Sequence, residues 1–326
     1  MRMEVWADIV SPWTHVLKRR LDAVLGEDSG VEVVWRPFTV DPTAPAKPLP
    51  LVENFLAPPV DEAGLEPFTR AREGLPTAGV QAVIAKAAAE EGIGPRFGAL
   101  WRVDSEKAQR LVHLAYTDGD ASVQNRIVDA LLHAHHVAGD DISDPEVLRR
   151  VASAEDFAAG PAMLEGGVGK RDYAEQLARG KAMHVEASPT IVHDGEYLVG
   201  AVSREELREF VDGLGEPVEI AEERERLRLA ESLLRQRDAI GALTLVEPVL
   251  AAHPNQHDVV ETAARAYYGS AQLNKARRLS QWLVDRNPAD FFAHYLLGRT
   301  LSRLGLEEEA RPHLKLAEAV TPPEED

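Results

Sequence analysis

The chain has 326 residues, of which 44% are hydrophobic and 28% are charged, as expected for a globular protein long enough to form two domains. Its formal net charge of −18 argues against nucleic acid or an anionic membrane as the main partner, because both are polyanions. The sequence contains no cysteine, which excludes disulfides, thiolate metal sites and any dithiol–disulfide exchange performed by this chain alone.

The first predicted elements are a strand over residues 3–10 and a helix that starts within Ser11-Pro12-Trp13-Thr14. Ser11 stands where the helix begins, so its hydroxyl could act as an N-cap. A helix N-terminus also offers free backbone N–H groups and positive potential, which stabilise an anion. His15 follows Ser11 by four residues and could approach it, although a solvent-exposed imidazole is the simpler interpretation.

A second strand is predicted over 31–38, and the proline-rich residues 41–60 are predicted to form a loop. Helical patterns follow at 64–94, with a break at Gly74 to Pro76, and then at 104–117, 121–137, 144–154 and 170–184. A strand, an Asp194-Gly195 turn and another strand occupy 188–199, and a helix over 204–211 completes the domain. This order predicts an α/β domain over 1–215 with a helical insertion at roughly 64–184.

The predicted helix over 121–137 carries a histidine cluster, His133, His135 and His136. His133 and His136 are three residues apart, so we expect them to share one helix face. Two histidines and a nearby carboxylate can bind a divalent metal, and an imidazole can act as a general base near neutral pH. Such pairs are common on ordinary helices, so we expect no metal and keep His136 as a candidate catalytic residue.

The last third of the chain repeats with a period of 34 residues. The spacing relates four sets of positions: Ala230, Ala264 and Gly298; Leu233, Tyr267 and Leu301; Ala242, Ala276 and Ala310; Pro254, Pro288 and Pro322. Small residues let paired helices approach closely, and proline ends a helix. We therefore predict three helix pairs over 220–321, followed by an acidic tail over 322–326. This pattern resembles the tetratricopeptide repeat (TPR), which implies an all-α solenoid with a peptide-binding groove.

The first domain also resembles a known family. Residues 6–14 with Lys18-Arg19-Arg20, and residues 33–42, look like the first strand, active-site helix and second strand of the FrnE branch of DsbA-like proteins. Residues 108–115 and 139–148 resemble the helical insert, and Ser188-Pro189 takes the place of the family's cis-proline. The resemblance implies a thioredoxin-like fold with a DsbA-type helical insertion, followed here by the TPR solenoid. Residues 41–82 depart from the family pattern.

The resemblance leaves three functions open. In the first, a protein or peptide client binds the backbone edge at Ser188 and Pro189, beside Pro12 and Trp13, and also the TPR groove. This arrangement is similar to thioredoxin–TPR chaperones and needs no cofactor.

In the second, Ser11 binds the thiolate of glutathione or mycothiol, as implied by the similarity to kappa-class glutathione transferases and 2-hydroxychromene-2-carboxylate isomerases. The candidate catalytic residues would then be Ser11, Thr14, His15 and His136. In the third, His135 or His136 contacts the substrate in thiol-free chemistry. We expect a cytoplasmic protein with no nucleic-acid or membrane partner, since no apolar run is long enough to span a bilayer.

Overall fold

The computed structural model of the chain describes residues 1–26, 29–51, 78–216 and 220–318. Parts of three predictions lie outside these residues: the helical pattern over 64–77 with its break, the loop over 52–60, and the chain beyond 318 with Pro322 and the acidic tail. The chain divides into two compact units, one of Met1–Tyr173 with Val185–Val218 and one of Ala174–His184 with Glu219–Asp326.

The strands are β1 (Arg2–Ala7), β2 (Glu32–Pro37), β3 (Leu49–Pro50), β4 (Trp101–Arg102), β5 (Thr190–His193) and β6 (Glu196–Val199). Four of them form the main sheet in the order β2-β1-β5-β6. The β1–β2 pair is parallel, and β5 is antiparallel to both β1 and β6. The predicted Asp194-Gly195 turn joins β5 to β6, and both of its residues have positive φ, as a two-residue hairpin requires.

The helices of the first unit are α1 (Pro12–Leu25), α2 (Ala78–Glu90), α3 (Glu106–Leu114), α4 (Ala121–His133), α5 (Pro145–Ala154), α6 (Gly160–Glu165), α7 (Lys170–Ala182), whose last residues belong to the second unit, and α8 (Arg204–Asp212). Because parallel strands need a crossover, α1 connects β1 to β2. Helices α3 and α4 each continue into a π-helical turn, at Ala115–Gly119 and Ala134–Ala138. The fold is the predicted thioredoxin-like one, with the helical insertion between β2 and β5.

The core of the first unit lies against β1. Met3, Val5 and Ala7 share a hydrophobic cluster with Leu17 of α1 and Leu207 of α8, together with apolar side chains of α3, α4 and α5. Full burial of a large apolar side chain stabilises a fold by about 1.5–3 kcal/mol. This cluster therefore fixes the start of α1, immediately after β1, relative to the sheet.

The second unit contains a run of helices: α9 (Glu222–Arg235), α10 (Ala239–Ala252), α11 (His257–Gly269), α12 (Leu273–Arg286), α13 (Phe291–Arg303) and α14 (Glu307–Glu318). They pack as three successive hairpins. The predicted small residues at the 34-residue spacing are buried in all three hairpins. Among the helices that the structure describes, none has the length and apolar character needed to cross a bilayer.

The first hairpin is covered by the end of α7. Ala178 and Ala182 share a hydrophobic cluster with Leu229 of α9, and Glu175 pairs with Arg226 at 2.6 Å. Residues 174–184 therefore pack with the C-terminal helices, whereas the sequence pattern places them in the domain over 1–215. The physical reason is the apolar face that α9 would otherwise expose at the end of the stack.

Candidate functional site

Three hydroxyl groups meet where β1 leads into α1. The Ser188–Pro189 peptide bond is cis. The Ser188 hydroxyl oxygen accepts a 2.8 Å hydrogen bond from the backbone N–H of Asp8 and lies 3.4 Å from the hydroxyl of Thr14. The Ser11 hydroxyl donates to the Ser188 carbonyl oxygen at 3.3 Å. The structure thus brings the predicted residues of 11–14 and 188–189 together.

Ser11 occupies the N-cap position of α1, but its side chain makes no capping hydrogen bond. Pro12 provides no N–H at the first helical position, and no acidic residue lies in the first turn. No carboxylate in the first turn of α1 itself therefore neutralises the positive end of its dipole. Ser11 and Thr14 are buried, whereas Pro12 and Trp13 are partly exposed beside them.

A buried carboxylate, which the sequence analysis did not select, lies next to these hydroxyls. Asp8 accepts hydrogen bonds from the backbone N–H of Val40 at 2.8 Å and from the side-chain amide of Gln109 at 3.0 Å. Burial raises the pKa of Asp8 to about 6, although hydrogen bonds from Val40, Ser105 and Val10 act in the opposite direction. The signal in the sequence was an acid three residues before Ser11, at the end of an apolar strand. Asp8 holds the loops around the site in place.

His15 is fully buried, which corrects the expectation of an exposed imidazole. Neither ring nitrogen has a hydrogen-bond partner among the described residues, so His15 forms no pair with Ser11. Its ring lies 5.8 Å from the Phe97 ring and 5.9 Å from the His136 ring, measured between centroids. Burial lowers the pKa of His15 to about 4, so the ring is neutral at physiological pH.

His135 and His136 are each 1% exposed, with ring centroids 4.8 Å apart. His136 donates from Nε2 to the carbonyl oxygen of Ile9 at 2.9 Å, which leaves the neutral ring with an unprotonated Nδ1. Burial lowers the pKa of His135 to about 4 and holds that of His136 well below its usual value. Neither ring is at the surface where a substrate could reach it, which corrects the expectation that His135 and His136 contact one.

His133 is exposed, so it does not share a face with the buried His136 as the spacing predicted. The π-helical turn at Ala134–Ala138 adds residues per turn and rotates His136 away from His133. His133 instead lines a groove of about 750 Å³ with Lys18, Asn125 and Asp129 among others. Within the part of the chain that the structure describes, no three histidine or carboxylate side chains form a metal-binding group.

The chemistry available at this site is hydrogen bonding and backbone pairing. The Ser11 hydroxyl contacts a carbonyl oxygen, which cannot take up its proton, so the geometry contains no activated serine nucleophile. The backbone N–H of Ser188 has no acceptor among the described residues, and its carbonyl oxygen accepts one long hydrogen bond. Ser188 is only partly buried. An extended segment can therefore pair with both groups.

Comparison with known proteins identifies the fold. Residues 2–212 match the family model described as a DSBA-like thioredoxin domain. A probable DsbA oxidoreductase from Streptomyces coelicolor is 22% identical, with a TM-score of 0.51 over 68% of this chain and 94% of that one. A 2-hydroxychromene-2-carboxylate isomerase is 16% identical (TM-score 0.47; 65% and 95% covered), and the cytosolic disulfide reductase DsbM from Pseudomonas aeruginosa is 15% identical (TM-score 0.44; 65% and 97% covered). No curated protein matches the sequence.

Proposed function

The chain belongs to the DSBA-like thioredoxin domain family through residues 2–212, and on that basis we propose that it binds extended peptide or unfolded client segments without dithiol chemistry. The observation that carries the proposal is the backbone of Ser188. Its N–H has no acceptor among the residues described, and its carbonyl oxygen retains a free lone pair. Strand addition at such an edge takes its affinity from main-chain hydrogen bonds and requires no thiol.

Apolar side chains beside this edge would add contact area. Trp13 and Pro12 are partly exposed, and Trp13 packs from one side on the cluster of Val16, Ala88 and Ile93. A tryptophan held in place by packing loses little entropy on binding, and aromatic rings dominate binding energy at many interfaces. The ligand that best suits these groups is an extended segment with an apolar residue opposite Trp13.

The C-terminal helices would act as a second peptide-binding scaffold. We assign them to the tetratricopeptide type because the 34-residue spacing of their small buried residues coincides with the three helix hairpins. Repeats of this kind stack into a curved solenoid with an extended binding surface. A cytoplasmic chaperone or adaptor is the role that combines the two surfaces.

The test measures aggregation of a heated client such as citrate synthase by light scattering, in the presence of the full-length chain and without ATP. We expect suppression by the wild type, and weaker suppression by Trp13→Ala. Val83→Ala is the control, because Val83 is an exposed apolar residue on α2. A photocrosslinking amino acid at position 13 should capture the client, whereas one at position 83 should not. If a molar excess of the folded chain leaves client aggregation unchanged, the proposal is wrong.

A second candidate function rests on Ser11, whose hydroxyl is not used to cap α1. By rotating away from the Ser188 carbonyl oxygen, this hydroxyl could donate to the thiolate of glutathione or mycothiol at the positive end of the helix. The reaction would then be an isomerisation or a transfer that uses an external thiol. Calorimetry with both thiols should show binding that Ser11→Ala weakens and Ser122→Ala, on the surface of α4, does not. Absence of heat with either thiol would eliminate this candidate.

A further inference from the structure

The first helices of the three hairpins line one side of the second unit. Helix α9 contacts α11, and α11 contacts α13, whereas the second helices of neighbouring hairpins contact each other less closely. A stack whose first helices approach more closely than its second helices curves toward the first helices. Side chains that project from α11 and α13 on this side therefore lie on the inner surface of the curve.

Tyr268 of α11 lies between two arginines of α13. The side chain of Tyr268 also interacts with Arg299 and raises the pKa of that guanidinium group. Its ring lies below the guanidinium of Arg303, 4.7 Å from ring centroid to Cζ, and its carbonyl oxygen accepts a 2.9 Å hydrogen bond from the same residue. The guanidinium group of Arg303 is thereby held in place, and the side chains of both arginines stay exposed.

Aromatic rings and a third arginine extend this surface. Arg265 lies over the ring of Phe292 at 5.8 Å, and that ring is 6.4 Å from the ring of Tyr295. Tyr295 is 47% exposed and lies one turn before Arg299 on α13. We call Arg265, Tyr268, Phe292, Tyr295, Arg299 and Arg303 the arginine–tyrosine face.

Two of the three arginines of this face have no carboxylate partner among the described residues. Arg265 has a carboxylate 3.9 Å away, that of Glu261. Neither Arg299 nor Arg303 forms an ion pair with any residue that the structure describes. Two exposed guanidinium groups without an ion pair are unusual in a chain with a net charge of −18, where carboxylates are abundant. Guanidinium forks bind carboxylates bidentately, and the exposed rings beside them suit apolar side chains.

We propose that the arginine–tyrosine face binds an acidic peptide segment in which carboxylate side chains alternate with apolar ones. The inference rests on the proposed role of the C-terminal helices as a peptide scaffold and specifies the chemistry of their ligand. A peptide suits the surface better than a nucleic acid, because three arginines on a strongly acidic protein give little attraction for a continuous polyanion. Carboxylates pair with Arg299 and Arg303, and an apolar residue packs on Tyr295.

The experiment measures fluorescence anisotropy of a labelled ten-residue peptide of alternating Glu and Leu, titrated with the full-length chain. A Gln–Leu peptide and a ten-nucleotide oligothymidine are the comparison probes. We expect the Glu–Leu peptide to bind about tenfold more tightly than either comparison probe, and more weakly as salt is raised. Arg299→Gln and Arg303→Gln should each weaken it by about fivefold. Arg311→Gln, an exposed arginine on α14 that pairs with Glu308, is the control and should have no effect.

A gain-of-function variant guards against loss of folding. Arg299→Glu should bind a Lys–Leu peptide more tightly than the wild type does, which a misfolded variant cannot show. The inference is overturned if the Gln–Leu peptide binds as tightly as the Glu–Leu peptide, if Arg311→Gln weakens binding as much as Arg299→Gln, or if the oligothymidine binds best. The Glu–Leu peptide could fail to bind while the chain still suppresses client aggregation and Trp13→Ala still reduces that suppression. In that case the inference about the arginine–tyrosine face is wrong and the proposed function stands.

Discussion

The hydroxyl of Ser11 donates a hydrogen bond to the carbonyl oxygen of Ser188, 3.3 Å away, and so joins the start of α1 to the residue before the cis-proline. The backbone N–H of Asp8 also donates to the Ser188 hydroxyl. The loop that carries the cis-proline is thus held against the helix N-terminus by oxygen and nitrogen groups alone. This geometry leaves the backbone N–H of Ser188 without an acceptor among the described residues, and it includes no group that can exchange electrons.

Replacing the two hydroxyl residues of α1 by cysteine should create dithiol activity. A thiol at position 11 would lie at a helix N-terminus with no acidic residue in the first turn, which lowers its pKa below the ordinary value of about 8.5. We expect the Ser11→Cys/Thr14→Cys variant to catalyse the reduction of insulin by dithiothreitol, measured as turbidity, whereas the wild type gives the uncatalysed rate.

The matched control is Ser203→Cys/Glu206→Cys, which places two cysteines at the same spacing at the N-terminus of α8. Among the described residues, no hydrogen bond joins Ser203 or Glu206 to the Ser188–Pro189 loop, so the control should stay near the uncatalysed rate. Equal rates for the two double variants would show that the Ser188–Pro189 loop does not help to position a reacting thiol.

Local patterns predicted much of the fold. The strand over 31–38, the Asp194-Gly195 hairpin and the 34-residue period each depend on residues close in sequence, and β2, the β5–β6 hairpin and the buried small residues of the helix pairs agree with them. Burial of His15 could not be predicted, because it depends on Phe97, which is distant in the sequence, and because Lys18-Arg19-Arg20 suggest an exposed helix. The packing of residues 174–184 could not be predicted either, because the apolar surface that they cover belongs to α9, which is distant in the sequence.

The pKa of Asp8 predicts a pH dependence of stability. Burial raises the pKa from 3.8 to about 6 in the folded chain, so the folded state binds the proton more tightly than the unfolded state. The resulting stabilisation is fully present below pH 4 and is lost as the pH rises through 6, by about 3 kcal/mol in total.

Asp8→Asn removes this titration but also an acceptor for the N–H groups of Val10 and Val40. We expect the variant to be less stable than the wild type at pH 4.5, and this difference to shrink by about 2 kcal/mol at pH 7.5. Urea unfolding of both proteins across this range measures it, and contributions of other titrating groups cancel in the comparison. A difference that stays constant with pH would contradict the raised pKa.

The titration of His15 should change the stability of the fold with pH in the opposite direction to the titration of Asp8. Burial lowers its pKa from 6.5 to about 4, so its neutral form supports folding above pH 6.5 and this support is lost as the pH falls toward 4. His15→Phe keeps an aromatic ring beside Phe97 and removes two buried nitrogens that have no partner. We expect the stability of the variant relative to the wild type to rise by about 2 kcal/mol between pH 8 and pH 5.

The measurement is thermal or urea unfolding at the two pH values, and His133→Gln is the control because His133 is exposed on α4. If His133→Gln gains as much as His15→Phe on acidification, burial of His15 does not cause the effect.

The third hairpin has Gly298 at the position where the first two have alanine, Ala230 and Ala264. The packing of Leu314 against Gly298 explains this difference. A Cβ at Gly298 would lie 2.8 Å from the side chain of Leu314 and 3.2 Å from its backbone nitrogen, so α13 and α14 would have to separate. Alanine gains about 1 kcal/mol over glycine in helix propensity, but overpacking costs about 1–3 kcal/mol, and we expect Gly298→Ala to be destabilising. In the Leu314→Ala background most of the clash is removed, so the same substitution should become neutral or stabilising. Urea unfolding of the four proteins of this cycle gives the coupling. Equal costs of Gly298→Ala in both backgrounds would show that Leu314 does not select the glycine.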